Sequence, residues 1–315
     1  MVLRNNLIYP KIELGIGKIG REMVIDMSYE ILTDSSANLP ESMIDEFGVH
    51  ILSLVFRINE EEFYGYVKGQ TTDLSQFYKR MRNKENITTS LVNMEVCEQM
   101  MRTLLDQGQD VLYIGFSSGL SGSYQAVETV ASQLREEYPE RKIVTVDTLA
   151  AALGEGLLVY YACKQKQEGK SIEEVRDWLL ENRLRLCHWF TVDDLFFLLR
   201  GGRVSKTSAI VGSVLSVKPV MHVDDEGHLI LIEKVRGRRK SLDGLVRHMV
   251  ETIEHPEEQI VCISHGDCQE DAEYVARKVK EKVPVKEVLI HILDPVIGAH
   301  SGPGTVALFF LGTKR

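Results

Sequence analysis

The chain has 315 residues, of which 44% are hydrophobic and 26% charged, the composition of a globular protein with length for two domains of roughly 150 residues each. Its net charge of −9 speaks against a general affinity for nucleic acid or anionic membrane, which call for basic surfaces. An anionic ligand would have to be held by local donors. Five scattered cysteines (Cys97, Cys163, Cys187, Cys262 and Cys268) form no CxxC pair and point to a reducing, cytoplasmic setting.

No run of 18 apolar residues occurs, so neither a transmembrane helix nor stable membrane insertion is expected. The first residues lack the apolar core and small-residue cleavage site of a signal peptide. Residues 1–26 are weakly patterned and read as a disordered tail or an over-long start upstream of Met27. From Tyr29 onward strand and helix signals alternate. Tyr29–Thr33 is a short strand, and Pro40 opens a helix to Phe47, closed by Gly48. Val49–Ile58 reads as a strand, Glu62–Tyr66 as an extended stretch and Leu74–Met81 as a helix. Asn93 is a good N-cap for a helix through Leu105.

Asp110–Gly115 (DVLYIG) is a short apolar run, as in buried parallel strands. A helix starts near Ser121 or Ser123 and runs to Glu137, followed by a strand over Lys142–Asp147 and a helix over Ala150–Gly169 that is apolar on most sides. Ser171 and Glu174 form a capping box for Ile172–Arg183. This is βαβ repetition and predicts a mostly parallel sheet.

The second half changes character. Cys187–Val192 is a strand, and Asp193–Arg200 and Thr207–Val214 are short helices. Val217–Val223 and Leu229–Val235 flank the hairpin turn Asp224-Asp225-Glu226-Gly227. Leu242–Ile253 is a helix and Gln259–His265 a strand. Asp267, with Glu270 three residues on, is placed as the cap of a further helix. Val285–Ile292 and Thr305–Leu311 are the last strands. The fold class is therefore α/β in two domains, a mostly parallel sheet in 27–169 and a mixed sheet with antiparallel elements in 170–315.

Four polar loops stand out: Thr33–Ser36, Thr88–Ser90, Ser117–Ser123 and His300–Thr305. In open α/β sheets ligands sit beyond the carboxyl ends of strands, where the Ser117–Ser123 loop lies. Its glycines let backbone approach a ligand, and free N–H groups at a helix start favour an anion. The hydroxyls of Ser121 and Ser123 add donors. Arg200-Gly201-Gly202-Arg203 offers guanidinium groups that pair with a carboxylate or phosphate, whereas Arg236–Lys240 reads as a solvated basic face. Cys262, His265, Asp267 and Cys268 crowd together, but closed zinc sites draw on two such clusters and no second one occurs, so no metal is expected. A rival reading is a serine hydrolase. Gly115-Phe116-Ser117-Ser118-Gly119 matches G-x-S-x-G, with Asp294 and His300 following in triad order. Gly119 and Gly122 prolong the loop where such an elbow would enter its helix, and no HGGG-like segment precedes it.

Six segments in this order resemble the DegV family of bacterial lipid-binding proteins: ILTDSSANLP at 31–40, TTS at 88–90, FSSGLSGSYQAV at 116–127, LRGGRVS at 199–205, EKVRGRRKSL at 233–242 and AHSGPGT at 299–305. The resemblance covers about Tyr29 to Leu311. It implies a two-domain α/β protein that buries a long-chain fatty acid in a tunnel at the domain junction and uses no cofactor. The implied carboxylate grip is Thr89 with Ser90 beside it, and Ser121 with the Gly122 backbone; His300 lies close by and Arg203 is a neighbour. The implied partner is a separate ATP-dependent fatty acid kinase subunit, which phosphorylates the presented fatty acid to acyl phosphate. No GxxxxGK[ST] loop occurs in this chain. After Thr89-Ser90 the family commonly continues Gln-Pro, whereas this chain has Leu91-Val92 and lacks the proline that would fix the loop. A binding module of the same fold for another small anion or lipid is the third reading.

Overall fold

Residues 29–205 and 217–315 are described by the computed structural model of the chain; the tail 1–26 and the helix expected at Thr207–Val214 lie outside them. The DVLYIG run does form a central parallel strand. Strand β1 (Tyr29–Asp34) lies between β2 (His50–Leu52) and β6 (Asp110–Gly115), with β7 (Ile143–Asp147) outside β6, and all three pairings are parallel. Leu32, Val111 and Tyr113 face helices α3 (Met94–Asp106) and α4 (Ser123–Glu137), while Ile31, Leu112 and Ile114 face the other way into the shared core. Both faces are buried, so the strands read as continuous apolar runs rather than as alternation.

The second sheet has six strands in the order β10 (Leu229–Arg236), β9 (Val217–Val223), β8 (Leu186–Thr191), β13 (Val306–Leu311), β11 (Ile260–His265), β12 (Glu287–Ile292). Only β11 and β12 run parallel; the other pairings are antiparallel. Cys187, Trp189, Ile263 and Leu308 point outward under α8 (Arg238–Thr252) and α9 (Gln269–Lys282). Phe190, Ala307 and Phe309 point inward.

Between the two sheets lies α5 (Leu153–Gln167), which packs on β6 on one side and on β8, β11 and β13 on the other. A helix sandwiched in this way has no polar face to present, which explains why it is apolar nearly all round. The capping box of α6 (Ile172–Asn182) forms with both of its hydrogen bonds, and α6 packs on α5 and β7. Among the described residues, no helix is long and apolar enough to cross a membrane.

Three local expectations change. The stretch Val49–Ile58 is two strands, because β3 (Val55–Ile58) leaves the parallel sheet and joins β4 (Glu61–Tyr64) and β5 (Ile87–Thr89) in a small antiparallel sheet. The switch is stabilised where Leu54 N–H meets Ser35 Oγ at 3.0 Å and Leu54 O accepts from Gly65 N at 2.7 Å. Asp267 does not cap α9. It sits in the left-handed region at φ 52°, its carboxylate pairs with Arg82, and Cys268 takes the cap position without a side-chain bond. The loop placed at 300–305 begins inside a helix, α10 (Pro295–Ser301), whose N-cap Asp294 accepts from the N–H groups of Val296 and Ile297 at 2.7 and 3.2 Å. Asp-Pro at a helix start was a readable signal, but the helix has only seven residues. Helix α10 packs on β3, β5 and α2 (Leu74–Arg82), tying the C-terminal half to the N-terminal one.

Candidate ligand-binding site

A cavity of ≈ 110 Å³ lies between the two sheets. One wall is the inner face of the mixed sheet, with His188, Phe190, Ala307 and Phe309; opposite stand Phe116, Ala152, Val296 and Ile297. Thr89, Ser90, Ser121, Arg203 and His300 all line it, so five of the six residues singled out in the sequence meet at one place. They come from β5 and the residue after it, the loop before α4, the turn after α7 (Phe196–Arg200) and the last turn of α10. The sixth, Gly122, is exposed at the N-cap of α4 and does not line the cavity.

The polar groups are already organised. Thr89 Oγ1 and His300 Nε2 are 2.7 Å apart. The His300 ring packs against Gly201, where a Cβ would collide with Nδ1; this close approach is what the first glycine of the Arg-Gly-Gly-Arg motif provides. Burial, reinforced by Arg203 and Arg200, lowers the His300 pKa to about 4, so the ring is neutral at pH 7 and acts as a hydrogen-bonding group. The Arg203 guanidinium is itself partly buried, which lowers its pKa. Its Nε donates to Leu120 O at 3.1 Å and its Nη1 to Gly201 O. It therefore latches the Ser121 loop to the turn beneath His300.

Ser121 Oγ lies 3.0 Å from Ser123 Oγ, which in turn accepts from Val92 N–H at 3.3 Å. With Ser123 as donor, Ser121 keeps its own O–H for a ligand. The Val92 bond also shows what the missing proline changes: this position uses a backbone N–H that proline lacks.

The geometry corrects two sequence inferences. Gly119 does not open the backbone to a ligand. A Cβ there would stand 2.6 Å from Glu226 O, so the glycine admits the hairpin turn between β9 and β10. The hydrolase triad is not assembled either. Ser117 is fully buried and donates to Gly227 O at 2.9 Å, His300 pairs with Thr89, and Asp294 caps α10. In the basic run Arg236, Arg239 and Lys240 are exposed, as expected of a solvated face, while Arg238 is bound to Asp271 at 2.8 Å and to Gly304 O at 2.7 Å.

Ser36 and Ser301, which lie in two of the loops singled out in the sequence but were not named as site residues, also line the cavity, as does His188, which sequence reasoning missed. Ser301 is buried and its Oγ has no hydrogen-bond partner. Ile297, His300 and Ser301 share one face of α10 by i, i+3, i+4 spacing, a pattern invisible while the segment is read as a loop. His188 sits mid-strand in an apolar run, edge-on to Phe309 at 5.0 Å, and burial holds its pKa well below the usual range. Nothing in the sequence marks it.

Behind Ser36 lies a pair of fully buried carboxyls, Asp34 and Glu155. Asp34 accepts from Ser36 N at 3.0 Å, Tyr113 OH at 2.8 Å, Phe116 N at 3.3 Å and Ser36 Oγ. Glu155 contacts only Thr33 Oγ1 and Ser36 Oγ, both at 3.1 Å. The single proton of Thr33 goes to Ile114 O at 2.7 Å and that of Ser36 to Asp34, leaving Glu155 no donor. Burial, with Asp34 close by, raises the Glu155 pKa well above the ordinary value, and burial raises that of Asp34 as well.

Fold and site together define an α/β protein with an apolar cavity between two sheets and a polar cluster on one flank. The chain belongs to the DegV family, whose sequence profile, described as an uncharacterised protein family, matches residues 28–313. A DegV domain-containing protein of Clostridium perfringens is 44% identical over 91% of this chain and 98% of its own length. Among solved structures, the fatty acid binding DegV family protein of Streptococcus agalactiae is 29% identical, with TM-score 0.79, covering 92% of this chain and 100% of that one. A DegV family protein of Thermus thermophilus, described for its fatty acid binding, is 28% identical with TM-score 0.80, covering 91% of this chain and 100% of its own.

Proposed function

We propose that this chain is a cytoplasmic carrier that binds a long-chain fatty acid in the cavity between its sheets and presents it to a separate ATP-dependent kinase subunit for conversion to acyl phosphate. The carboxylate is held by the hydroxyls of Thr89 and Ser121, with Ser90, His300 and Arg203 around them; Gly122, which does not line the cavity, has no part in this grip. The observation that carries this reading is the convergence of Thr89, Ser121, Arg203 and His300, from four separate segments, on one flank of an apolar cavity. Relatives that are 28% and 29% identical and described as fatty acid binding support it.

The physics is consistent. A carboxylate in a low-dielectric cavity is costly unless several donors meet it. Each buried methylene contributes about 0.8 kcal/mol, so the acyl chain supplies most of the affinity and a net-acidic protein can hold an anion. Native mass spectrometry of the purified chain tests the reading. The expected outcome is a co-purified or added fatty acid bound one to one; a chain that carries none and takes up none defeats it. Competition of palmitate against short phosphate and acyl compounds separates a fatty acid carrier from a binder of another small anion.

A further inference from the structure

A second cavity, of ≈ 180 Å³, opens on the far side of the Ser35–Ala37 turn. Asp34, Glu41 and Asp294 border it together with Asn38 and Tyr66, and no lysine or arginine does. His291 is its one further basic group, and burial and the neighbouring His265 lower its pKa. Asp294 and Asn38 are 7% and 6% exposed, hence more than nine-tenths buried. Asp294 spends Oδ1 on the N–H groups of α10, and its Oδ2 has no hydrogen-bond partner. Asn38 donates from Nδ2 to Ile292 O at 3.1 Å, and its Oδ1 likewise has none. The Tyr66 hydroxyl at the same cavity is also without one.

A buried acceptor without a donor is destabilising, and more so when it is charged. Two such acceptors, one a carboxylate, in a cavity that Asp34 and Glu41 also line and that no lysine or arginine borders, repel anions and disfavour apolar ligands. All the unpartnered atoms are oxygens, the ligands of hard cations, and Mg²⁺ characteristically keeps several waters while using one or two protein oxygens. The cavity has room for such a hydrated ion.

We propose that this second cavity is a site for a hydrated divalent cation of the Mg²⁺ or Ca²⁺ class, bound through Asp294 Oδ2 and Asn38 Oδ1. The proposal does not rest on the lipid reading. Its site shares α10 with the first cavity: Asp294 caps one end of the helix and His300 stands at the other.

The test uses the full chain, stripped with chelator and titrated at pH 8 with MgCl₂ or CaCl₂, followed by calorimetry and thermal melting. One saturable site with Kd of about 10⁻³ M or tighter and a raised melting temperature are expected. Asp294→Asn keeps a capping oxygen and should weaken binding about tenfold or more. Asn38→Gly tolerates the residue's φ of 55° and should weaken binding severalfold. No saturable binding of either metal overturns the proposal, as does equal binding by wild type and both variants. Saturation by ethylammonium chloride in the absence of metal binding would assign the cavity to amines and overturn it as well.

Discussion

The two sheets contribute to the central cavity in opposite ways. The parallel sheet offers its edges: β1 ends in the Asp34–Ser36 turn and β6 in the Phe116–Ser121 loop, so polar groups arrive on loops at strand ends. The mixed sheet offers a face, with His188, Phe190, Ala307 and Phe309 standing on β8 and β13. Strand ends leave backbone donors and short hydroxyl side chains free, whereas a sheet face alternates and delivers one row of side chains per strand. A cavity between them is naturally polar on one flank and apolar along the other, as an amphipathic ligand requires.

The largest expected effect comes from breaking the apolar wall. Ala307→Trp places a large side chain where the acyl chain is proposed to lie. Excluding four to six methylenes at about 0.8 kcal/mol each should lower palmitate affinity by roughly a hundredfold or more. Octanoate should be far less affected, and equal losses for the two ligands in calorimetry would show that the wall does not hold the chain.

Removing hydroxyls from the polar flank should cost less. Thr89→Ala and Ser121→Ala are each expected to weaken fatty acid binding by roughly tenfold, the loss of one hydrogen bond of about 1.5 kcal/mol, in a chain that still folds. Unchanged affinity in both variants would remove the carboxylate grip from these residues.

A smaller effect concerns His300. Its folded pKa of about 4 lies below the unfolded value near 6.5, so its contribution to stability is complete above about pH 6.5 and is lost as pH falls toward 4. Chemical denaturation across that window should show a shallower acid loss in His300→Gln than in wild type; parallel profiles would mean that the ring is not held neutral. Arg203→Ala is expected to change fatty acid affinity least, within about threefold, because the guanidinium is engaged with the carbonyls of Leu120 and Gly201. Its loss should appear as slower phosphorylation in a reaction reconstituted with a kinase subunit of the proposed kind, and an unaltered rate would confine Arg203 to the structural latch.

The sequence by itself determined the local elements whose signals are short-range. The capping box at Ser171, the turn at Asp224–Gly227, the Asn93 cap and the DVLYIG strand follow from nearest-neighbour chemistry, and they appear as read. It also identified Thr89, Ser90, Ser121, Arg203 and His300, through motifs whose order along the chain is specific even though each is modest alone. The tertiary structure decided how these residues meet and what surrounds them. Gly119 looked like a ligand-facing glycine, yet it accommodates a hairpin turn, as Gly201 accommodates an imidazole, from distant segments. His188 and Ser301 became lining residues only because β8 and α10 turn those positions inward, and no short-range signal encodes the face a strand or a seven-residue helix presents to a neighbour. The same holds for Asp294: the sequence marks an aspartate before a proline, but only the packing of α10 against the Ser35–Ala37 turn leaves its second oxygen buried at the cavity that Asn38 also lines.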